Sequence, residues 1–399
     1  MKNIVYVAKA DLPYTAAGIR IDGIMRILEP LGYSFTVICD REFDNATKVQ
    51  AEKLGAKILS QDTKKVEVEY QSRIYVYKTV KKSNKLQSLL NLWELRFAKA
   101  LFSIVKQYCL KVSADAVILY NDTYALTKRM LRFAPKKGMK LFADVTEWYE
   151  AKSASASIGE RMVPKLVDKR ICALDKRLNG IISISPYLHE YYTSLGGKSL
   201  FLPPLMPEFY LQPQREGVPT IVYAGSPGAK DLLLPAMRAI CKINEEEIKL
   251  RLKLIGLSEK DVHKLYGDIN LAECGIEAYG RLPHAETLSI IDECDFGILF
   301  RQNKRYAKAG FSTKLAECMS RSVPMICNKV GGCERVIEDG VDGFVVAEAS
   351  EQLIEEAFVK LIHLSIQERK NMKDSAYEKA RALFDGAKYE QALKELMEK

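Results

Sequence analysis

Short apolar runs alternate with stretches of helical period along nearly the whole chain. In the first half "NIVYVAK", "SFTVICD", "AKILS", "RIYVYKTV", "AVILY", "KLFADV", "GIISIS" and "SLFLPP" read as strands; in the second, "TIVYAG", "LKLIG", "IEAYG", "FGILF", "VPMIC" and "GFVV" do. Most are short, near-continuously apolar and bounded by turn residues, the pattern of strands covered by helices on both faces. Between them, segments such as "KDLLLPAMRAICKI" and "HAETLSIIDEC" have a helical pattern. Strand and helix in alternation predict an α/β architecture with parallel sheets. Pro203, Pro204, Pro207, Pro213 and Pro219 crowd the stretch "LPPLMPEFYLQPQREGVPT". Proline at that density breaks secondary structure and stiffens a connection, which marks a linker. The expected fold is two Rossmann-like doubly wound domains facing a central cleft, residues 1–205 and 206–380, with 381–399 returning as a helix onto the first. Ligands of such sheets bind at the carboxyl ends of the strands, so the loops that follow strands should carry the chemistry.

Composition narrows the class. The chain has 399 residues, 48% hydrophobic and 28% charged, which suits two globular domains and excludes a disordered chain. No apolar run approaches the roughly 20 residues that span a bilayer. The start, "MKNIVYVAKA", reads as a first core strand rather than a leader, and a cytoplasmic protein is expected. The nine cysteines fall mostly inside apolar stretches with no CxxC spacing. Buried thiols in a reducing compartment are expected, with neither a zinc site nor a disulfide framework. The net charge of +9 is uneven: residues 1–200 carry a balance of +13 and the remainder −4. A basic half suits an anionic partner such as a membrane leaflet. A solvated lysine-rich surface accounts for the same excess. The chain has no zinc-finger or RNA-binding aromatic motif, and no nucleic-acid partner is expected.

Three strand-following loops stand out. After the first strand, "TAAG" opens a helix, and Gly18 lets backbone turn tightly and approach a ligand. This is not GxGxxG, so a dinucleotide has little support. After "TIVYAG", whose last residue is Gly225, "SPGAKDLLLPAMRAI" places Lys230 where a helix should begin. A lysine in a first turn opposes the helix dipole at about 0.3–1 kcal/mol, which a bound anion would offset. The third loop, "FGILFRQNKRYAKAGFSTKLAECM", gathers Arg301, Lys304, Arg305, Lys308 and Lys314 before a helix capped by Ser312 or Thr313. So many cations at a helix N-terminus suit a diphosphate. Glu317, about one turn inside, can accept hydrogen bonds from a sugar's vicinal hydroxyls. Together they describe a nucleoside-diphosphate site; a surface salt-bridge network is the competing account.

These residues, in this order, resemble glycosyltransferase family 4, retaining enzymes of the two-Rossmann-domain fold called GT-B. The resemblance is concentrated in residues 220–346, in "YAGSPGAKDLL", "YGRLPHAETLSIIDECDFGILF" and "STKLAECMSRSVPMICNKVGGCERVIEDGVDGFVV". Lys314, Glu317 and Pro324 match the family's K-x-x-E-x-x-x-x-x-x-P run, and Gly331 and Gly332 its glycine pair. The resemblance implies sugar transfer from a nucleotide-sugar donor with retention of configuration. It places Lys230 on the diphosphate, Glu317 on the ribose and Gly18 near the transferred sugar. Three departures stand out, two of them at the sugar end. Ala309 stands where a first glutamate is usual, "SPGA" where an arginine is usual, and Thr146 and Glu147 where many relatives carry a histidine. Arg301 or Arg305 could supply the missing charge.

The chain has no D-x-D triplet, so lysine, arginine and a helix terminus are expected to carry the diphosphate charge with neither metal nor cofactor. Glu147 is the candidate catalytic carboxylate, and Asp144 reads as structural. The basic segment 81–112 spaces apolar residues along one helical face, for core packing or for an anionic leaflet. A glycan or lipid-linked acceptor, with the protein peripheral on the membrane's inner face, is expected on the second reading. A non-catalytic partner subunit and a nucleotide-sugar epimerase of the same fold are the alternatives.

Overall fold

The computed structural model describes residues 1–80, 97–149, 158–173, 177–228, 230–267 and 269–398. They form two compact units, Met1–Pro203 with Gly386–Lys399, and Pro204–Asp385. The chain thus crosses between units at 203/204 and 385/386, where sequence reading places the crossings at 205/206 and 380/381.

The first unit holds β1 (Lys2–Ala8), β2 (Tyr33–Glu42), β3 (Lys57–Gln61), β4 (Lys65–Tyr70), β5 (Arg73–Lys78), β6 (Ala116–Tyr120), β7 (Lys140–Val145), β8 (Gly180–Ser183) and β9 (Ser199–Phe201). They make one sheet in the order β3-β4-β5-β2-β1-β6-β7-β8-β9. From β5 to β9 the pairing is parallel, as the apolar runs predict. The β3-β4 and β4-β5 pairs are antiparallel, which corrects the expectation of an all-parallel sheet. The unforeseen strand is β4, "KVEVEY": Val66 and Val68 are buried on one face, while Lys65, Glu67 and Glu69 give it a polar reading. A half-polar strand paired antiparallel between β3 and β5 lacks the continuous apolar run of the parallel strands.

Of segment 81–112, residues 81–96, with Lys81, Lys82 and Lys85, lie outside the described residues. The remainder forms the helix Lys99–Lys111, which buries Leu101, Val105, Tyr108 and Cys109. The C-terminal helix Glu390–Glu398 buries Leu393, Leu396 and Met397. Gly180 accommodates it, since a Cβ there would stand 2.6 Å from Leu396 Cδ1. Among the described residues, no helix is long and apolar enough to cross a membrane.

The second unit holds β10 (Thr220–Ala224), β11 (Arg251–Ile255), β12 (Ile276–Gly280), β13 (Phe296–Leu299), β14 (Met325–Asn328) and β15 (Gly343–Val346). Every pairing is parallel, and the order is β12-β11-β10-β13-β14-β15. The chain builds outward from β10 on one side, then restarts at β13 on the other. That is the doubly wound order, and it opens a crevice at the carboxyl ends of β10 and β13. Ile221, Tyr223, Leu252, Leu254, Phe296 and Ile298 form the sheet's share of the core, against helices Leu234–Ile243 and Glu351–His363.

One pair of cysteines corrects the expectation of isolated thiols. Cys241, in the last turn of Leu234–Ile243, is disulfide-bonded to Cys274, 33 residues on. The topology joins them: β11 runs between the helix that carries one and the turn that carries the other. Asn244 fastens the same corner, donating to the carbonyls of Leu250 (2.7 Å) and Cys274 (2.8 Å). The other seven cysteines are free.

Candidate functional site

The crevice residues are built around one carboxylate that sequence reading passed over. Asp231 follows β10, and its side chain is 2% exposed. Its Oδ1 accepts from Arg301 Nε at 2.9 Å, and its Oδ2 accepts from the Tyr223 hydroxyl at 2.7 Å and from the Lys314 ammonium. Lys314 Nζ also donates to the Tyr223 hydroxyl at 2.8 Å and lies 4.4 Å from its ring centroid. Burial pushes the Asp231 carboxyl up, but Lys314 and Arg301 outweigh it and hold the group below its ordinary range, as a carboxylate. Burial lowers the Lys314 ammonium, against the pull of Asp231. Two cations therefore face a single anion in a site with little water to screen them.

Each member is held by the end of a strand. Gly225, just past β10, has φ +129°, and a Cβ there would stand 2.5 Å from Lys314 Cε. Only glycine lets the lysine stem cross the strand end. Arg301 follows β13, and Asn328, the last residue of β14, grips its backbone through bonds of 2.8 and 2.9 Å. Leu232 N donates to Phe300 O at 2.7 Å, which draws the Asp231 loop across β13.

The structure changes the reading of the other cations. Lys230 does not stand in a helix's first turn. The helix starts at Leu234, with Pro235 in its first turn, and Lys230 lies half-buried in a turn closed onto the Pro227 carbonyl. Proline is tolerated in a helix's first turn but not in its interior, so Pro235 forbids an earlier start. Lys304 and Lys308 are exposed and Arg305 is half-buried, so the five cations do not converge on one point.

Ser312 occupies the N-cap of Thr313–Ser320 without a side-chain cap bond, and its buried hydroxyl has no partner. Glu317 sits in the second turn, where His284 Nε2 approaches its Oε1 at 3.3 Å. The histidine was another omission: it stands 33 residues earlier, at the start of His284–Asp292. Gly331 and Gly332 both take left-handed backbone, φ +73° and +82°, and a Cβ on Gly331 would press on the Ala307 carbonyl at 2.7 Å. Ala309 is fully buried.

Two candidates belong to the first unit. Gly18 is in the first turn of Ala16–Leu28, which Thr15 caps by accepting from Gly18 N at 3.1 Å. A Cβ on Gly18 would lie 2.3 Å from Leu12 O and 2.6 Å from Asp11 O. Gly18→Ala is therefore expected to cost about 1–3 kcal/mol as over-packing, seen as a lower urea midpoint with unchanged m. An unchanged midpoint would show that the Asp11–Leu12 loop yields freely. Glu147 is half-buried just past β7. Burial first, then Glu147, raises the neighbouring Tyr149 hydroxyl. Thr146 is tied down, its N–H donating to Asn121 Oδ1 at 3.1 Å. Asp144 accepts from Arg20 and, at 2.7 Å, from the Tyr6 hydroxyl, which makes it structural.

Residues 218–363 match the family model described as glycosyl transferases group 1. No curated protein matches the chain. Several solved structures share its fold along its length. A sucrose-phosphate synthase from Thermosynechococcus elongatus is 13% identical with a TM-score of 0.69, covering 100% of this chain and 98% of its own. WaaG, a glycosyltransferase involved in lipopolysaccharide biosynthesis, is 12% identical with a TM-score of 0.66, over 98% and 99%. Anabaena HepE, solved in complex with UDP and glucose, is 14% identical with a TM-score of 0.64, over 100% of both chains. The chain has the GT-B fold of these structures, and within it residues 218–363 are similar to the group 1 glycosyltransferases.

Proposed function

We propose that the protein is a retaining glycosyltransferase that moves a sugar from a nucleoside-diphosphate donor to a glycan or lipid-linked acceptor. The observation that carries this reading is the Lys314–Asp231–Arg301 network at the doubly wound crevice, inside the matched domain and one turn from Glu317. Asp231 holds the two cationic side chains in place in the free protein. An arriving diphosphate brings the charge they lack, and the same cations then stabilise it as leaving group without requiring a metal. Lys230, Ser312, Thr313, Gly331 and Gly332 are proposed as the rest of the diphosphate and ribose cradle, with Glu317 on the ribose hydroxyls. Gly18 and Glu147 are proposed for the sugar end, Glu147 as nucleophile or base beside same-face attack assisted by the departing phosphate. WaaG's role in lipopolysaccharide biosynthesis supports a surface glycan or glycolipid acceptor, and with it a peripheral place on the membrane's inner face.

The test is calorimetric titration with UDP, GDP and ADP, followed by nucleotide release in the presence of donor sugar and acceptor. A nucleoside diphosphate should bind wild type, and Lys230→Ala and Glu317→Ala should each weaken it with the fold intact. Affinity unchanged in both variants would remove the donor site. Binding without turnover would favour a non-catalytic partner, the reading that Ala309 supports.

The His284–Glu317 pair makes donor binding pH-dependent. The hydrogen bond to Glu317 raises the His284 imidazolium above its ordinary 6.5, against burial. The charged pair is thus complete below about pH 6.5 and is lost as pH rises through the raised value. Losing it frees Glu317 for ribose, so nucleotide affinity should rise from pH 6 to pH 8. His284→Gln should flatten that rise; an equal rise in the variant would assign it to another group.

A further inference from the structure

A second charged cluster in the same unit lies at the opposite, amino end of β13. Arg369 and Lys373 are one turn apart on one face of the helix Ile366–Phe384, and they are 6% and 2% exposed. Asp295, 4% exposed, immediately precedes β13 and is already engaged. It accepts from Thr220 N at 2.9 Å and from Gln214 Nε2 at 3.0 Å, and stands 4.0 Å from Arg369 Nη1. The acids beside it in sequence are committed elsewhere, Asp292 to Arg321 and Glu293 to Lys253. Four buried polar atoms have no hydrogen-bond partner: Arg369 Nε, Lys373 Nζ, Gln214 Oε1 and Arg369 Nη1, the last at ion-pair distance from Asp295. Burial lowers the Lys373 ammonium, with Arg215 and Arg369 adding to the effect and Asp295 opposing it.

Unpaired buried donors and charges are costly, and native structures satisfy them with protein, water or an ion. Three of these atoms belong to cationic side chains, and Asp295, the carboxylate beside them among the described residues, already accepts two hydrogen bonds. We propose that Arg369 and Lys373, with exposed Arg215 at the mouth, form a binding site for a small inorganic oxyanion, best matched by hydrogen phosphate. Its oxygens accept from Arg369 Nε and Nη1 and from Lys373 Nζ, and its hydroxyl donates to Gln214 Oε1. Sulfate offers the acceptors but no donor. The site is separate from the crevice, which opens at the carboxyl ends of the strands, so nucleotide need not compete with it.

Thermal unfolding in increasing phosphate, at ionic strength held constant with sodium chloride, tests this in the full chain. Phosphate also stabilises proteins generally by exclusion from their surfaces, but that effect does not saturate and does not depend on one side chain. Wild type should show a saturable rise in Tm. Lys373→Met, an apolar replacement that suits a buried position, should move the phosphate midpoint about tenfold or more upward. Arg215→Gln, at an exposed residue, should weaken it by a smaller factor with no effect on folding. Sulfate should give a saturable but weaker response. A linear rise equal in wild type and both variants would overturn the site, and so would a saturable rise that Lys373→Met leaves unchanged.

Discussion

Lys314→Met is expected to cost about 3–5 kcal/mol of stability, because it strands the Asp231 carboxylate in the core with Arg301 and Tyr223 alone. Both side chains of the lost pair are largely buried, 17% exposed for Lys314 and 2% for Asp231, so solvent does little to soften the loss. Nucleotide affinity should fall by about ten- to a hundredfold, the worth of a charge-assisted hydrogen bond. The double variant Asp231→Asn/Lys314→Met removes both charges and should recover part of the stability but none of the affinity. Urea unfolding of the single and double variants, with calorimetry alongside, separates the two effects. A single-variant cost below about 0.5 kcal/mol, typical of an exposed pair, would mean the network is solvated. The folded-state pKa of Asp231 is depressed, so its contribution is present above its ordinary 3.8 and is lost as pH falls through the depressed value.

The Cys241–Cys274 bond is expected to contribute about 2–4 kcal/mol, the range for cross-links that restrict an unfolded chain over such a span. Cys241→Ser, or reduction, should lower the stability of the second unit by that amount while Asn244 keeps the corner in register. Thiol titration of protein purified without reductant should find seven free groups out of the nine cysteines. Nine titratable thiols in that preparation would overturn the bond.

What was legible in the sequence shares one cause. Strands such as β1, β6, β10 and β14 announce themselves because a strand covered on both faces must be apolar at nearly every position. The loop chemistry was partly legible because glycine and helix caps leave local marks: Gly225, Gly331, Gly332 and Ser312 all lie at strand ends or a helix start. Lys230 was misread because the apolar pattern of "DLLLPAM" runs smoothly into the helix, while Pro235 fixes its start four residues later.

By itself, then, the sequence determined the alternation of strand and helix, the two-unit division and the loops in which ligand chemistry could sit. It did so because periodicity, proline and glycine act over a few residues. Only the tertiary structure decided which charges meet. Asp231 and Lys314 are 83 residues apart, Asp231 and Arg301 70, and His284 and Glu317 33. Nothing within a local window ties one member of such a pair to the other. The parallel order β12-β11-β10-β13-β14-β15 brings these loops together, and burial at Asp231 makes its partners matter.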